Sequence, residues 1–158
     1  MRTLQAFGHT SGWFPTRHRM TAAFRATQRL AWTRTALADP ELELQRASAD
    51  ASFRSYWRTR SGGESWIVMD APPEHEDIAP WLDIARRLFA AGLHAPEVRS
   101  ADLEHGFVLM SDLGDALYLP ALDTAHVDVL YSDAMDALLR MQAGIDASDL
   151  PAYDEARL

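Results

Sequence analysis

The sequence contains no cysteine, no lysine and no asparagine. Without cysteine there is no disulfide, no thiolate nucleophile and no cysteine-held metal. All fifteen basic residues are arginine. The lack of lysine excludes a Walker A phosphate loop, Schiff-base chemistry and any lysine on a kinase-type third strand. The lack of asparagine removes the amide ligand that a kinase's second magnesium takes. No apolar run approaches the ~20 residues of a membrane helix.

What is present is ordinary for a globular domain. A length of 158 residues, 47% hydrophobic and 24% charged, fits one domain or a piece of a larger protein. Charge is uneven. Six arginines and no acid precede Asp39, and the rest carries nine arginines against twenty-three acids, a net of −14. That acidity argues against nucleic acid, whose phosphates need a basic surface. Residues 1–19 hold Gly8, Gly12 and Pro15 and show no hydrophobic period. They are expected to be a disordered or misassigned extension, with Met20 as the natural start.

From residue 21 to 37, Ala23, Phe24, Leu30, Ala31 and Leu37 recur at helical spacing and predict an inward helix face, stopped at Asp39-Pro40. Alternation predicts a strand over 41–47, with Leu42 and Leu44 on one face. A second follows over 53–60, in which Arg54, Tyr56, Arg58 and Arg60 share a face. Ser61-Gly-Gly-Glu64 reads as a hairpin turn, and 66–70 as an apolar third strand stopped by Pro72-Pro73. Trp81, Ile84, Ala85, Leu88 and Phe89 form an apolar stripe on a helix that Pro80 begins and Gly92 ends. Residues 96–102 and 106–111 predict a strand pair, 112–120 a connector, and 124–143 a long amphipathic helix. Its inward side is Val127, Leu130, Tyr131, Ala134, Leu138 and Met141.

This order, with five antiparallel strands and one helix after the third, is that of a protein-kinase-like small lobe in the α+β class. The segments Ala49-Asp-Ala-Ser-Phe-Arg-Ser-Tyr56, Ile67-Val-Met-Asp-Ala-Pro-Pro73, Ala90-Ala-Gly-Leu-His-Ala-Pro-Glu97 and Gly106-Phe-Val-Leu-Met-Ser-Asp-Leu-Gly114 make it specific. So do Ala137-Leu-Leu-Arg-Met-Gln-Ala-Gly144 and Leu150-Pro-Ala-Tyr-Asp154. Over residues 22–158 the chain resembles the N-terminal part of the aminoglycoside phosphotransferase-like family. Within it, the chain is most similar to bacterial kinases that phosphorylate N-acetylmuramate and N-acetylglucosamine at the anomeric hydroxyl in cell-wall recycling.

The resemblance implies a small lobe over 20–111, a hinge over 112–122 and the start of a large lobe over 123–158. It implies ATP and Mg2+ in the full-length enzyme, a small sugar as acceptor and a cytoplasmic location. The loop 48–53 would cover the ATP phosphates, with Ser48, Asp50, Ser52 and Phe53 as site residues; from the residues alone it reads as a plain polar turn. The Ser111 carbonyl and Leu113 amide would read the adenine edge, with Met110 bordering the base; read alone, 106–114 is a buried strand ending in a turn. Met69 stands where most relatives of this fold carry the third-strand lysine. Arg54 and Arg58 are candidates for the missing cation, against the simpler reading of a solvated arginine stripe. Asp83 aligns with the acid that normally partners that lysine and otherwise reads as a helix-surface carboxylate. Asp112 reads as a turn or hinge residue.

The family's catalytic loop has the form His-x-Asp-x-x-x-x-Asn, followed later by a metal-binding aspartate. The chain's His126-Val-Asp128 lies inside a predicted helix and is followed by Asp133 where asparagine is required. It is not that loop, and the chain holds no catalytic residue and no metal ligand. The expectation is therefore a truncated, inactive kinase piece that self-associates through the exposed face of its long helix. The alternative is a non-catalytic nucleotide-binding or interaction module derived from such a kinase; an unrelated α+β domain without a nucleotide site is a third reading.

Overall fold

A computed structural model of the chain describes residues 22–49 and 52–151. The expected extension over 1–19, the start at Met20, the site residue Asp50 and the end of the motif at 150–154 lie outside the described residues.

Nine elements follow in order: α1 (Ala22–Leu37), β1 (Gln45–Ala49), β2 (Ser55–Ser61), β3 (Glu64–Asp70), α2 (Ala79–Ala90), β4 (Val98–Asp102), β5 (Phe107–Ser111), α3 (Tyr118–Ala121) and α4 (Val127–Gly144). The strands make one antiparallel sheet in the order β1-β2-β3-β5-β4. This is the kinase-like small lobe expected from the sequence.

Turn chemistry fixes the sheet's register. Gly62 and Gly63 both have positive φ, which closes β2 on β3 in two residues and sets Ser61 opposite Glu64. β3 then pairs with β5, so that Met69 faces Val108 and Ile67 faces Met110. Side chains on the β2, β3 and β5 core strands alternate between two covered faces. On one face Met69, Val108 and Met110 pack with Ile78 and Leu82 of the α2 region. On the other, Trp57, Asp70 and Phe107 meet α1. Coverage on both sides explains why Phe107–Met110 is a continuous apolar run, all buried. Each such side chain contributes about 1.5–3 kcal/mol of burial free energy.

Several expectations need correction. First, α1 turns its arginines inward. Arg25, Arg29 and Thr33, spaced four apart, are its buried residues, while Phe24 is exposed. The cause is Asp70, a buried carboxylate at the end of β3 that takes both guanidinium groups. Burying that charge unpaired would cost more than burying leucine could return. The Arg29 guanidinium also lies 3.6 Å over the Trp57 ring and that of Arg25 4.9 Å over Phe107. Second, β1 begins at Gln45, not at 41, and runs through Ser48 and Ala49. Its register slips between Arg46 and Ser48, so Arg46 opposes Trp57 and Ser48 opposes Tyr56. Third, the inward stripe of α2 is rotated. Leu82 and Ala85 are buried, whereas Ile84 and Phe89 are exposed.

The helix stops hold. Gly92 has a φ of 71°, and Leu93 N–H reaches back to the Leu88 carbonyl over 3.2 Å, closing α2 with a left-handed cap. The expected connector after β5 contains the short helix α3. None of the residues in α4 is buried. Tyr131, Leu138 and Met141, expected inward, are exposed.

Candidate functional site

A cleft of about 290 Å³ opens between the first strands and the segment after β5. Its floor is Tyr56, Ile67 and Met110, which strand register sets side by side on one sheet face. Ala47, Ser48 and Pro96 form the rim, and residues 111–115 close one end. A larger depression of about 500 Å³ runs along α1 and the turn at Ala38–Pro40, and none of the expected site residues lines it.

Of the expected residues, Ser48, Met110, Ser111 and Leu113 come together in this cleft. Ser48 is a strand residue, so the loop proper is shorter than the sequence suggested. The Ser111 hydroxyl accepts from the Glu97 N–H at 2.9 Å, and the Ser111 N–H donates to the Glu97 carbonyl at 3.0 Å. These bonds fix the start of the closing segment against β4. Among the described residues nothing accepts from the Leu113 N–H.

Met69 shares the cleft's sheet face but is fully buried, sealed with Ile78, Leu82 and Val108. Ser52 and Phe53 sit apart from the cleft floor. The Ser52 hydroxyl accepts from the Arg54 N–H at 3.2 Å. The Phe53 ring stacks on His75, with centroids 4.2 Å apart and planes 16° from parallel. Phe53 is thereby pinned to the loop before α2.

The basic group among the residues lining the cleft is Arg58, and it is not part of a solvated stripe. Its guanidinium forks onto Asp115 at 2.8 and 2.9 Å. It also meets Asp112, with Nε 2.7 Å from Oδ2. Asp112 further accepts from the Ser65 hydroxyl at 2.6 Å and the Gly114 N–H at 2.9 Å. The segment after β5 is thus bolted to β2 and β3 through one half-buried carboxylate. Burial pushes the Asp112 carboxyl up, but Ser65, Arg58 and the Gly114 N–H outweigh it and hold it below the usual carboxylate range. Asp115, then Asp112, raise Arg58 well above the ordinary arginine value.

Arg54 occupies the same sheet face, beyond Tyr56. Its Nη2 lies 2.6 Å from Oε1 of Glu76. The bond to Glu76, against the cost of burial and with help from the Tyr56 hydroxyl, raises Arg54 above its ordinary value. Asp83 is exposed on α2 and bonds Arg87 one turn on, at 2.9 Å. It is the surface carboxylate that its helical position suggested.

Sequence reasoning missed Ser65 and Asp115. The signal for Ser65 was present in the hairpin, since the Gly-Gly turn sets β2 and β3 in register and brings Ser65 and Ile67 beside Arg58. No local pattern marks Asp115, which is brought in by the path of the connector. Among the described residues no group of three or more histidines and carboxylates could hold a metal ion. No described helix is long and apolar enough to cross a membrane.

The family model described as "Phosphotransferase enzyme family" matches residues 43–158. The chain is 49% identical over 119 residues to the N-acetylmuramate/N-acetylglucosamine kinase of Pseudomonas aeruginosa, covering 75% of this chain and 35% of that one. It is 43% identical to the kinase of the same description from Pseudomonas putida, again over 75% of this chain and 35% of the relative. The corresponding protein of Neisseria meningitidis is 37% identical over 129 residues, 78% of this chain and 38% of the relative. The chain spans little more than a third of the length of these relatives.

Proposed function

The chain belongs to the phosphotransferase enzyme family, and from that premise we propose that it carries the ATP-binding part of an amino-sugar kinase. The acceptor is N-acetylmuramate or N-acetylglucosamine, the substrates in the names of the relatives. The anomeric oxygen attacks the γ-phosphate of ATP, the bond to the β–γ bridging oxygen breaks, and a sugar 1-phosphate and ADP result. Such a product suits cell-wall recycling in the cytoplasm.

One observation carries the reading. Ser48, Met110, Ser111 and Leu113, which the family resemblance implies as nucleotide-site residues, line a single cleft. The adenine lies on Met110 and Ile67, with its edge on the Ser111 carbonyl and the Leu113 N–H. The phosphates lie toward Ser48, Ser52 and Phe53. In this reading residues 20–111 are the small lobe, 112–122 the hinge and 123–158 the start of the large lobe. The Arg58–Asp112 bolt holds the hinge at a fixed distance from the sheet, so the base meets a preformed edge.

The residues for chemistry are not in this set. No His-x-Asp-x-x-x-x-Asn motif occurs in the sequence. The chain alone therefore binds nucleotide without transferring phosphate. Calorimetric titration with ATP, paired with a sugar-phosphorylation assay, tests this: binding without turnover is expected, and a folded chain that ignores ATP contradicts it.

The second reading is a non-catalytic nucleotide-binding module derived from a kinase-like fold. The genomic sequence beyond codon 158 separates the two. A downstream catalytic motif in frame supports the kinase, and its absence supports the module.

A further inference from the structure

Phosphate groups in a buried cleft need a cation close by. This chain has no lysine to offer, and the third-strand position is a methionine sealed in the core. Arg54, Arg58 and Arg60 share the cleft's sheet face; Arg60 is exposed beside the β2–β3 turn, and of the three only Arg58 lines the cleft itself. Arg58 lies in the row of Ile67 and Met110, at the closed end of the cleft. It already faces two carboxylates, Asp112 and Asp115. Arg54 lies beyond the row of Tyr56 and Met69, where the β1–β2 tip ends. It faces one carboxylate, Glu76, against the two that hold Arg58.

Glu76 is itself well placed to hold a cation. Its backbone N–H donates to the Pro72 carbonyl at 3.1 Å, and the preceding His75 supports the Phe53 ring. The side chain is only 21% exposed, and its second oxygen has no partner among the described residues. A short loop stiffened by Pro72 and Pro73 thus sets one carboxylate against Arg54 and limits the guanidinium's freedom.

We propose that Arg54, oriented by Glu76, is the cation that contacts the nucleotide phosphates in this chain, in the role that lysine fills on the third strand of other kinases. The proposal rests on the nucleotide reading of the cleft. The Arg54–Glu76 pair reproduces the lysine–glutamate pair that phosphoryl-transfer sites use to hold a phosphate-binding cation. The cation moves from the middle of β3 to the start of β2, and the acid from within the helix to the loop before it. Arginine suits the shift, because its planar fork offers donors to a carboxylate on one side and to phosphate oxygens on another.

The test compares ATP with adenosine, which lacks phosphates, by calorimetric titration of the 158-residue chain and of Arg54→Gln and Arg54→Met. Each variant is checked for an unchanged thermal melt. Loss of a charge-assisted phosphate contact is expected to weaken ATP about tenfold or more, with adenosine changed less than about twofold. Equal losses for both ligands, or no loss for ATP, overturn the assignment while leaving the nucleotide cleft in place. Wild-type chain that binds neither ligand overturns the cleft reading and this proposal with it. A measurement on the wild type needs no variant: phenylglyoxal modification of Arg54, followed by mass spectrometry. ATP should slow it and adenosine should not; a rate indifferent to ATP overturns the proposal.

Discussion

The Nε of Arg25 donates to Oδ1 of Asp70 over 2.7 Å, joining the first helix to the last residue of the third strand across forty-five positions of sequence. Arg29 takes the other carboxylate oxygen, and Arg25 also donates to the His105 carbonyl at 2.9 Å. Both arginines and the aspartate are buried. This triad is the main polar attachment of α1 to the sheet.

Breaking it should be expensive. Asp70→Asn leaves two buried guanidinium groups without their counter-charge and is expected to cost about 3–5 kcal/mol. Urea unfolding reads the loss. Replacing all three members by apolar residues of similar volume is expected to be close to neutral.

The Arg58–Asp112 bolt gives a pH signature. Asp112→Asn removes the charged acceptor for Ser65, Arg58 and Gly114 and is expected to destabilise the chain by about 1–2 kcal/mol. The folded-state pKa of Asp112 is depressed, so its contribution is complete above the unfolded value of about 3.9 and is lost as pH falls through the lower folded value. The stability difference between wild type and Asp112→Asn should be flat from neutral pH to about pH 4 and shrink below it. Urea melts across that range check the sign.

Gly106 tolerates no side chain. Its φ is 72°, and a Cβ there would fall 1.8 Å from the Ala71 carbonyl oxygen. The Ala71 N–H meanwhile donates to the Gly106 carbonyl at 2.9 Å, holding the two backbones together. Gly106→Ala is expected to cost at least about 2 kcal/mol through backbone strain and displacement, read as a lower thermal midpoint. Gly63→Ala, with open space around it but a φ of 86°, should cost less.

The α3–α4 region exposes Leu117, Leu119, Val129, Tyr131, Met135 and Leu139. So many exposed apolar side chains promote association. Sedimentation is expected to show mass rising with concentration, and Leu119→Ser with Leu139→Gln to reduce it. A strictly monomeric wild type at high concentration contradicts the expectation.

The sheet was readable because its signals are local: the Gly-Gly turn, the Pro72-Pro73 stop, and the apolar run at 107–110. The orientation of α1 was not. Helical spacing picks out Phe24 and Leu30, but the sheet presents Asp70, and a single buried carboxylate outweighs several alanine and leucine contacts. Arginine hides this from a hydropathy pattern, because its stem packs like an apolar chain while its head pairs. For the cleft, the family resemblance, not any local pattern, implied that Ser48, Met110, Ser111 and Leu113 belong together. The sequence could not place Asp115 or Glu76, whose roles depend on how loops fold back onto the sheet.

The central claim is that the cleft between β1–β3 and the segment after β5 binds ATP. Its most direct test is titration of the folded chain with ATP, followed by backbone amide NMR shifts. The account predicts saturable shifts centred on Ser48, Met110, Ser111 and Leu113. Their absence at millimolar ATP in a folded sample, or shifts confined to the α1 groove, would contradict it.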